Sequence, residues 1–589
     1  MRSSDLTSGR LAIGKLTLGV LLVAGALSRA QSLSSGAGGA IRGTVVDVSS
    51  GTALNGATVS LYDSRRAVAS ASTNTAGQFA FESVKPGAYS LLAQKAGYDP
   101  AEYGNHVPGI PGMLVEVGQG GRVEGLVVRL QRFASVAGVV ESEDGRPAAG
   151  EHVVVLRDVP GGHDAHWMTA GRSTTDDEGR FRITGLRPSE YLVAVLGTAS
   201  AVAVTGAATT FYPDSPSPAG AVPIQLGSGA EWTGLVLRRS PEHLFSVSGV
   251  VKTAEGPPLT TMVHLVRSGP AEISTDLDAE TVQSSAGGRF VFRGVATGSY
   301  QVTVVQFPKR ETPDPPGTVP HMELSRGFLG LGNAPIAPLP TRPTIWARTS
   351  VTIVDADVSA LEIVTRQGFR VSGRVLFDGT SPKPSSAMLA TRCVDIKPES
   401  IGLGSYPAGP IGPNGEFQTV GLPSGRYFLS MLQTWDAWRV DSLSIGGHEW
   451  AGRPFDLDAD VDGAVLTLTD RESMLFGSVR QPAKAAGVAA GPVDALVFVL
   501  PAARGDWGAF SQMPPHAFLM LRADPHGAYQ ADVLPGKHFV VAVPAEQVPE
   551  DWQAAAFLES LAANALAVQV GRGERTVQDL TVVNVAKRR

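Results

Sequence analysis

Short runs of apolar residues, separated by glycine and proline, recur along nearly the whole chain. Ala57-Thr58-Val59-Ser60-Leu61 and Tyr300-Gln301-Val302-Thr303-Val304 are apolar at every second position, the period of a strand with one buried face. Phe79-Ala80-Phe81 and Phe290-Val291-Phe292 place two aromatics at i and i+2, on one side of a strand. One stretch has a helical period instead. Behind the acidic start Pro549-Glu550-Asp551, the residues Trp552, Leu558, Leu561 and Ala565 form an apolar stripe, which predicts a helix near 550–566 packed on the last domain.

The strand pattern repeats. Glycine, one residue, then an aromatic occurs as Gly77-x-Phe79, Gly179-x-Phe181, Gly288-x-Phe290, Gly415-x-Phe417 and Gly527-x-Tyr529. An aliphatic follows each aromatic after five residues (Val84, Leu186, Val295, Leu422, Leu534), and an aromatic after ten (Tyr89, Tyr191, Tyr300, Tyr427, Phe539). Between those two points lie turn residues such as Lys85-Pro86-Gly87 and Pro423-Ser424-Gly425. Each copy therefore predicts a strand, a turn and a strand. The leading glycine is expected to take the positive φ that a tight turn needs.

Each copy opens on a strand with a central glycine: Gly43, Gly138, Gly249, Gly373 and Gly477. Such a glycine predicts a bulge or a close backbone approach. Each closes on an apolar strand, as in Leu126–Leu130, Leu235–Leu237, Leu361–Val364, Val465–Leu468 and Leu580–Val583. The fold class expected is all-β, a tandem array of about five prealbumin-like or immunoglobulin-like β-sandwiches. The expected divisions are 31–132, 133–240, 241–367, 368–470 and 471–589. The third carries a proline-rich insertion at 311–345, which reads as a surface loop.

Composition agrees. Gly and Pro number 68 and 41, hydrophobic residues are 43% and charged residues 18% of 589 residues, which suits many strands and tight turns. The net charge of −6 is spread along the chain and gives no basic face for nucleic acid. The basic Arg2, Arg10 and Lys15, the apolar run Leu16–Leu27 and the site Ser28-Arg29-Ala30 predict a signal peptide over 1–30. The expectation is an exported protein, periplasmic, cell-surface or secreted, with no membrane insertion after cleavage.

The anchors resemble the carboxypeptidase regulatory-like domain. The resemblance rests on residues 41–98 and on 135–196, where Gly145, Pro147, Gly150, Thr175, Asp176, Gly179, Phe181, Leu186, Pro188 and Tyr191 follow the family pattern. The first copy has Ala53 for the usual proline and Asn74 for the aspartate. The fifth departs further, because His538 stands two residues after Gly536. The resemblance implies a prealbumin-like (transthyretin-like) sandwich, similar also to Cna B-type repeats and to carbohydrate-binding-like folds. It implies an accessory role, since the zinc catalytic domain that accompanies this module in carboxypeptidases is missing.

Candidate chemistry is sparse. No His-x-x-Glu or His-Glu-x-x-His occurs, and His163 and His166 lack an ordered third ligand. Cys393 is the one cysteine and reads as a small buried hydrophobe. Asp176-Asp177-Glu178 lacks calcium-loop spacing and reads as a solvated turn. Lys252 and Asn584 fall in different copies, so no cross-link within a domain is expected, and no catalytic residue, metal or cofactor is. Trp435, Trp438 and Trp450 lie close together and are the candidates for stacking a sugar ring, against the alternative of core packing. The leading expectation is a non-catalytic spacer, adhesion or protein-interaction array with an unidentified extracytoplasmic protein or glycan partner. Alternatives are a carbohydrate-binding protein and an accessory subunit of a peptidase.

Overall fold

The computed structural model describes residues 38–585, except 64–65, 106–109, 160–164, 198–204, 207–208, 240–241, 255, 257, 269–270, 274–278, 309–314, 316–317, 319–333, 341, 400–408, 432, 436, 483–493, 504–516, 550–551 and 553–554. The expected signal peptide, His163 and the side chain of His166 lie outside the described residues.

One strand plan is repeated five times. In the first sandwich the opening strand Gly39–Asp47 lies between two partners. The hairpin strand Gln78–Val84 is antiparallel to it, and the closing strand Arg122–Arg132 is parallel. The facing sheet centres on Thr58–Asp63, flanked by the edge strand Arg66–Ser72 and the second hairpin strand Gly87–Gln94. The opening strands Ala134–Glu141, Phe245–Thr253, Val371–Asp378 and Met474–Arg480 sit between the same two kinds of partner. An open two-layer sandwich results, with alternating side chains meeting between the sheets.

Each sandwich has its own apolar core. In the first it contains Ile41, Val45, Val59, Leu61, Phe79, Phe81, Tyr89 and Val128; equivalent clusters fill the others. Burying each such side chain contributes about 1.5–3 kcal/mol. Several strands break the alternation, and two show why. Ala495–Pro501 is buried at every residue, because its outer face is covered by the helix Ala555–Asn564 and by Trp552. The expected helix is thus present, packed where the stripe predicted. Val153–Leu156 is also buried throughout, its second face covered by Trp167, Leu192 and Phe211.

The proline-rich insertion needs correction at its end. Ile336 and Ala337 are buried, and the Ile336 N–H donates to the Ala390 carbonyl at 2.8 Å. Ile345–Ile353 is a strand that pairs with both Gly298–Gln306 and Val358–Gln367, joining the two sheets of the third sandwich. The chain could not signal this from composition, because the prolines precede the strand. A short helix, Ser386–Leu389, is also present in the fourth sandwich, with the Ser385 hydroxyl accepting from Met388 N–H.

Candidate functional site

The repeated motif forms one joint at the end of each sandwich. Gly77, Gly179, Gly288, Gly415 and Gly527 take φ of 70°, 70°, 71°, 83° and 82°, the left-handed region expected of them. Their turns are held by the residue three positions earlier. The Asp176 carboxylate accepts from Glu178 N–H and Arg180 N–H at 3.1 and 2.7 Å. Asn74 and Asp524 make the same pair of bonds. The acidic turn is therefore an Asx cap. The buried Thr175 hydroxyl accepts from Glu151 N–H and donates to the Ala148 carbonyl; Thr73 and Ser284 repeat this tie.

The second aromatic closes the hairpin turn. The phenol of Tyr89 donates to Lys85 O, Tyr191 to Arg187 O, Tyr300 to Ala296 O and Tyr427 to Pro423 O, at 2.7–3.0 Å. In the fifth sandwich this position belongs to His538, whose Nε2 lies 2.7 Å from the Leu534 carbonyl. Phe539 is therefore not the counterpart of the four tyrosines. It packs in the outer layer, under the helix. The ten-residue spacing there is coincidental, and the hairpin of the fifth copy is one residue shorter. His538 is 4% exposed, and burial lowers its pKa from the ordinary 6.5. Its Nδ1 is buried without a partner.

The opening-strand glycines show both expected features. A Cβ on Gly43, Gly138, Gly249, Gly373 or Gly477 would stand 2.5, 2.3, 2.0, 1.9 or 2.1 Å from a carbonyl oxygen of the closing strand or the turn leading into its last segment. In the first four sandwiches the closing strand bulges at that point, with an extra residue at φ of 75° (Gly125), 81° (Gly234), 60° (Ala360) or 74° (Gly463). The bulge brings the carbonyl against the glycine.

The tryptophans of the fourth sandwich do not form a platform. Trp435 and Trp438 are 6% and 2% exposed and pack on Phe377, with ring centroids 5.6 and 4.9 Å away. Trp438 Nε1 donates to the Pro382 carbonyl at 3.4 Å. Trp450 is half-buried against Phe455. Rings used as core cannot present a face to a sugar. The tryptophan that the described residues do expose is Trp232, 42% accessible on the strand Glu231–Arg238; its place in a half-buried strand gave no signal for it. Cys393 is buried, its thiol pushed up to about 12 by burial, and so unreactive. Among the described residues no group of three His, Cys, Asp or Glu side chains is placed to hold a metal.

Residues 40–128 match the carboxypeptidase regulatory-like domain family, and the first sandwich is a domain of that kind. No curated protein matches the chain. Among solved structures, the Bacillus anthracis TIE protein is similar at 10% identity over 56% of this chain, with a TM-score of 0.17. This chain spans 51% of that protein's length. A streptococcal ancillary pilin is similar at 13% identity over 56% of this chain and 98% of its own, with a TM-score of 0.18. The minor pilin GBS52 of Streptococcus agalactiae is similar at 16% identity over 34% of this chain and 95% of its own, with a TM-score of 0.20.

Proposed function

We propose that this chain is an exported, non-catalytic scaffold whose sandwiches act as spacer and protein-interaction modules, taking partner strands on their open sheet edges. One observation carries the reading. The strand Ala271–Ile273, supplied by the third sandwich, adds in parallel to the edge strand Ala165–Thr174 of the second, with Ala165 opposite Ala271 and Trp167 opposite Ile273. Strand addition is thus already in use within the molecule. The corresponding edge of the first sandwich, Arg66–Ser72, ends its sheet, and six of its seven residues are exposed. It offers a row of backbone donors and acceptors of the kind that edge pairing uses. The motif residues support the same reading, since their polar groups are spent on the turns described above.

The edge is tested by placing a photo-crosslinking residue at Ser70 and exposing the purified chain to cell-envelope proteins. The expected result is protein cross-links through Arg66–Ser72, abolished by the edge lysines of Val68→Lys with Ala67→Lys. Cross-links elsewhere alone, or turnover of peptide or glycan substrates by the pure chain, would contradict it. Export is supported by the leader read from residues 1–30, and an exported chain beginning at Gln31 is its test.

A second reading, glycan contact, has Trp232 in its favour. Glycan-array retention lost on Trp232→Ala would establish it, and an unchanged or absent signal would remove it.

A further inference from the structure

Neighbouring sandwiches are joined by specific contacts. Between the first and second, Arg187 grips the nearly buried Asp99 through Nε and Nη2, both at 3.0 Å. The second and third share the added strand described above. Between the third and fourth, Phe307 and Leu339 pack on the core of the fourth. Between the fourth and fifth, Phe428 packs with Ala517 and Leu534, and Arg439 pairs with Asp532 at 2.8 Å. Each of these contacts is a small one, so the joints hinge and the junctions alone do not fix the path of the chain.

That path returns to its start. Ile110, in a loop of the first sandwich, is 6% exposed and belongs to the outer apolar layer of the fifth, with Phe498, Trp552, Leu558 and Leu561. Arg522 of the fifth sandwich has a side chain 5% exposed. Its Nη1 donates to the Pro111 carbonyl at 3.0 Å, while Nε and Nη2 fork onto Asp494 at 2.7 and 3.0 Å. His526 and Glu116 stand 3.8 Å apart at the rim. The loop is braced from its own side. Glu102 accepts from Gly112 N–H at 2.8 Å, Met113 N–H donates to Tyr103 O at 2.7 Å, and the Asn105 amide donates to Ile110 O. An isoleucine at a loop tip is costly in water and stabilising in an apolar socket. A buried guanidinium paired on one side and bonded to a backbone carbonyl on the other is specific to that loop shape.

We infer that the five sandwiches close into a ring, and that the loop Ile110–Met113 is its clasp, seated on the outer layer of the fifth sandwich. The occupant of this surface is the chain's own first sandwich. Closure covers the face formed by Ile110's apolar partners and leaves the edge strand Arg66–Ser72 outside the clasp.

Small-angle scattering of the full chain tests this. Sandwiches with a radius of gyration of about 13 Å, set about 30 Å apart, give about 30 Å as a ring and about 45 Å as an open row. The chain is expected to scatter as the ring. Ile110→Asp should raise the radius about 1.5-fold, with the melting of the first sandwich unchanged, since Ile110 is in no core of the first. A chain that already scatters as the open row, or a folded Ile110→Asp chain of unchanged radius, would overturn the clasp. A second measurement does not depend on that variant. Glu116→Cys with His526→Cys, treated with a short bis-maleimide, should link within one chain, as the sole native thiol, Cys393, is buried. Links between chains, or none, would overturn closure within the molecule.

Discussion

At the residue scale, the five copies can be compared position by position, and the exceptions are informative. Gly125, Gly234 and Gly463 hold the left-handed bulge position, but the third sandwich has Ala360 there at φ 60°. A Cβ in that region costs about 1–2 kcal/mol, partly offset by the entropy a glycine loses on folding. Ala360→Gly is therefore expected to stabilise the third sandwich by about 0.5–1 kcal/mol, read as a higher melting temperature. Gly373→Ala should do the reverse. Its Cβ would lie 1.9 Å from the Ala464 carbonyl oxygen, and relieving a backbone collision of that kind costs about 3 kcal/mol. Calorimetry on the two single variants checks both signs.

His538 makes a different prediction. Its pKa is lowered in the folded chain, first by burial, from 6.5. The unfolded chain therefore binds the proton more readily. The stability tied to the neutral ring is complete above about pH 6.5 and is lost as pH falls below it. His538→Tyr installs the phenol that the other four sandwiches use. The difference in stability between the two chains should grow on going from pH 7.5 to pH 5. A difference independent of pH would show that His538 does not titrate as described.

At the element scale, most of the strands were legible because glycine, aromatic and turn residues recur at fixed offsets. The hairpins, the central glycines and the helix Ala555–Asn564 followed from period and turn chemistry alone. The misreadings have separate causes, the first being that one-dimensional spacing does not register a one-residue deletion. Phe539 satisfied the ten-residue interval while His538 occupied the hairpin position. Trp435 and Trp438 clustered in sequence because they surround Phe377 in the core, and no pattern of spacing distinguishes a ring packed inward from one presented to a ligand. The strand Ile345–Ile353 was absorbed into a proline-rich stretch, although its partners fix it at the seam of two sheets.

At the scale of the whole molecule, the number of sandwiches could be read from the chain and their arrangement could not. Junctions are made by single residues such as Asp99, Phe428 and Ile110, none of them one of the recurring motif positions. The proposed function lies at this scale as well. The repeated polar residues are committed to the turns, so the proposal rests on the sheet edges, and the edges differ. The first residues of the strand Ala165–Thr174 are covered by Ala271–Ile273, whereas Arg66–Ser72 is the last strand of its sheet.

Hydrogen exchange of the full chain, followed by peptide mass spectrometry, compares these two edges directly. The amides of residues 165–167 should be protected, and the outward amides of Arg66–Ser72 should exchange at once when the protein is alone. Equally fast exchange at both edges would mean that the third sandwich does not add its strand to the second, and would remove the observation on which the proposed docking function rests.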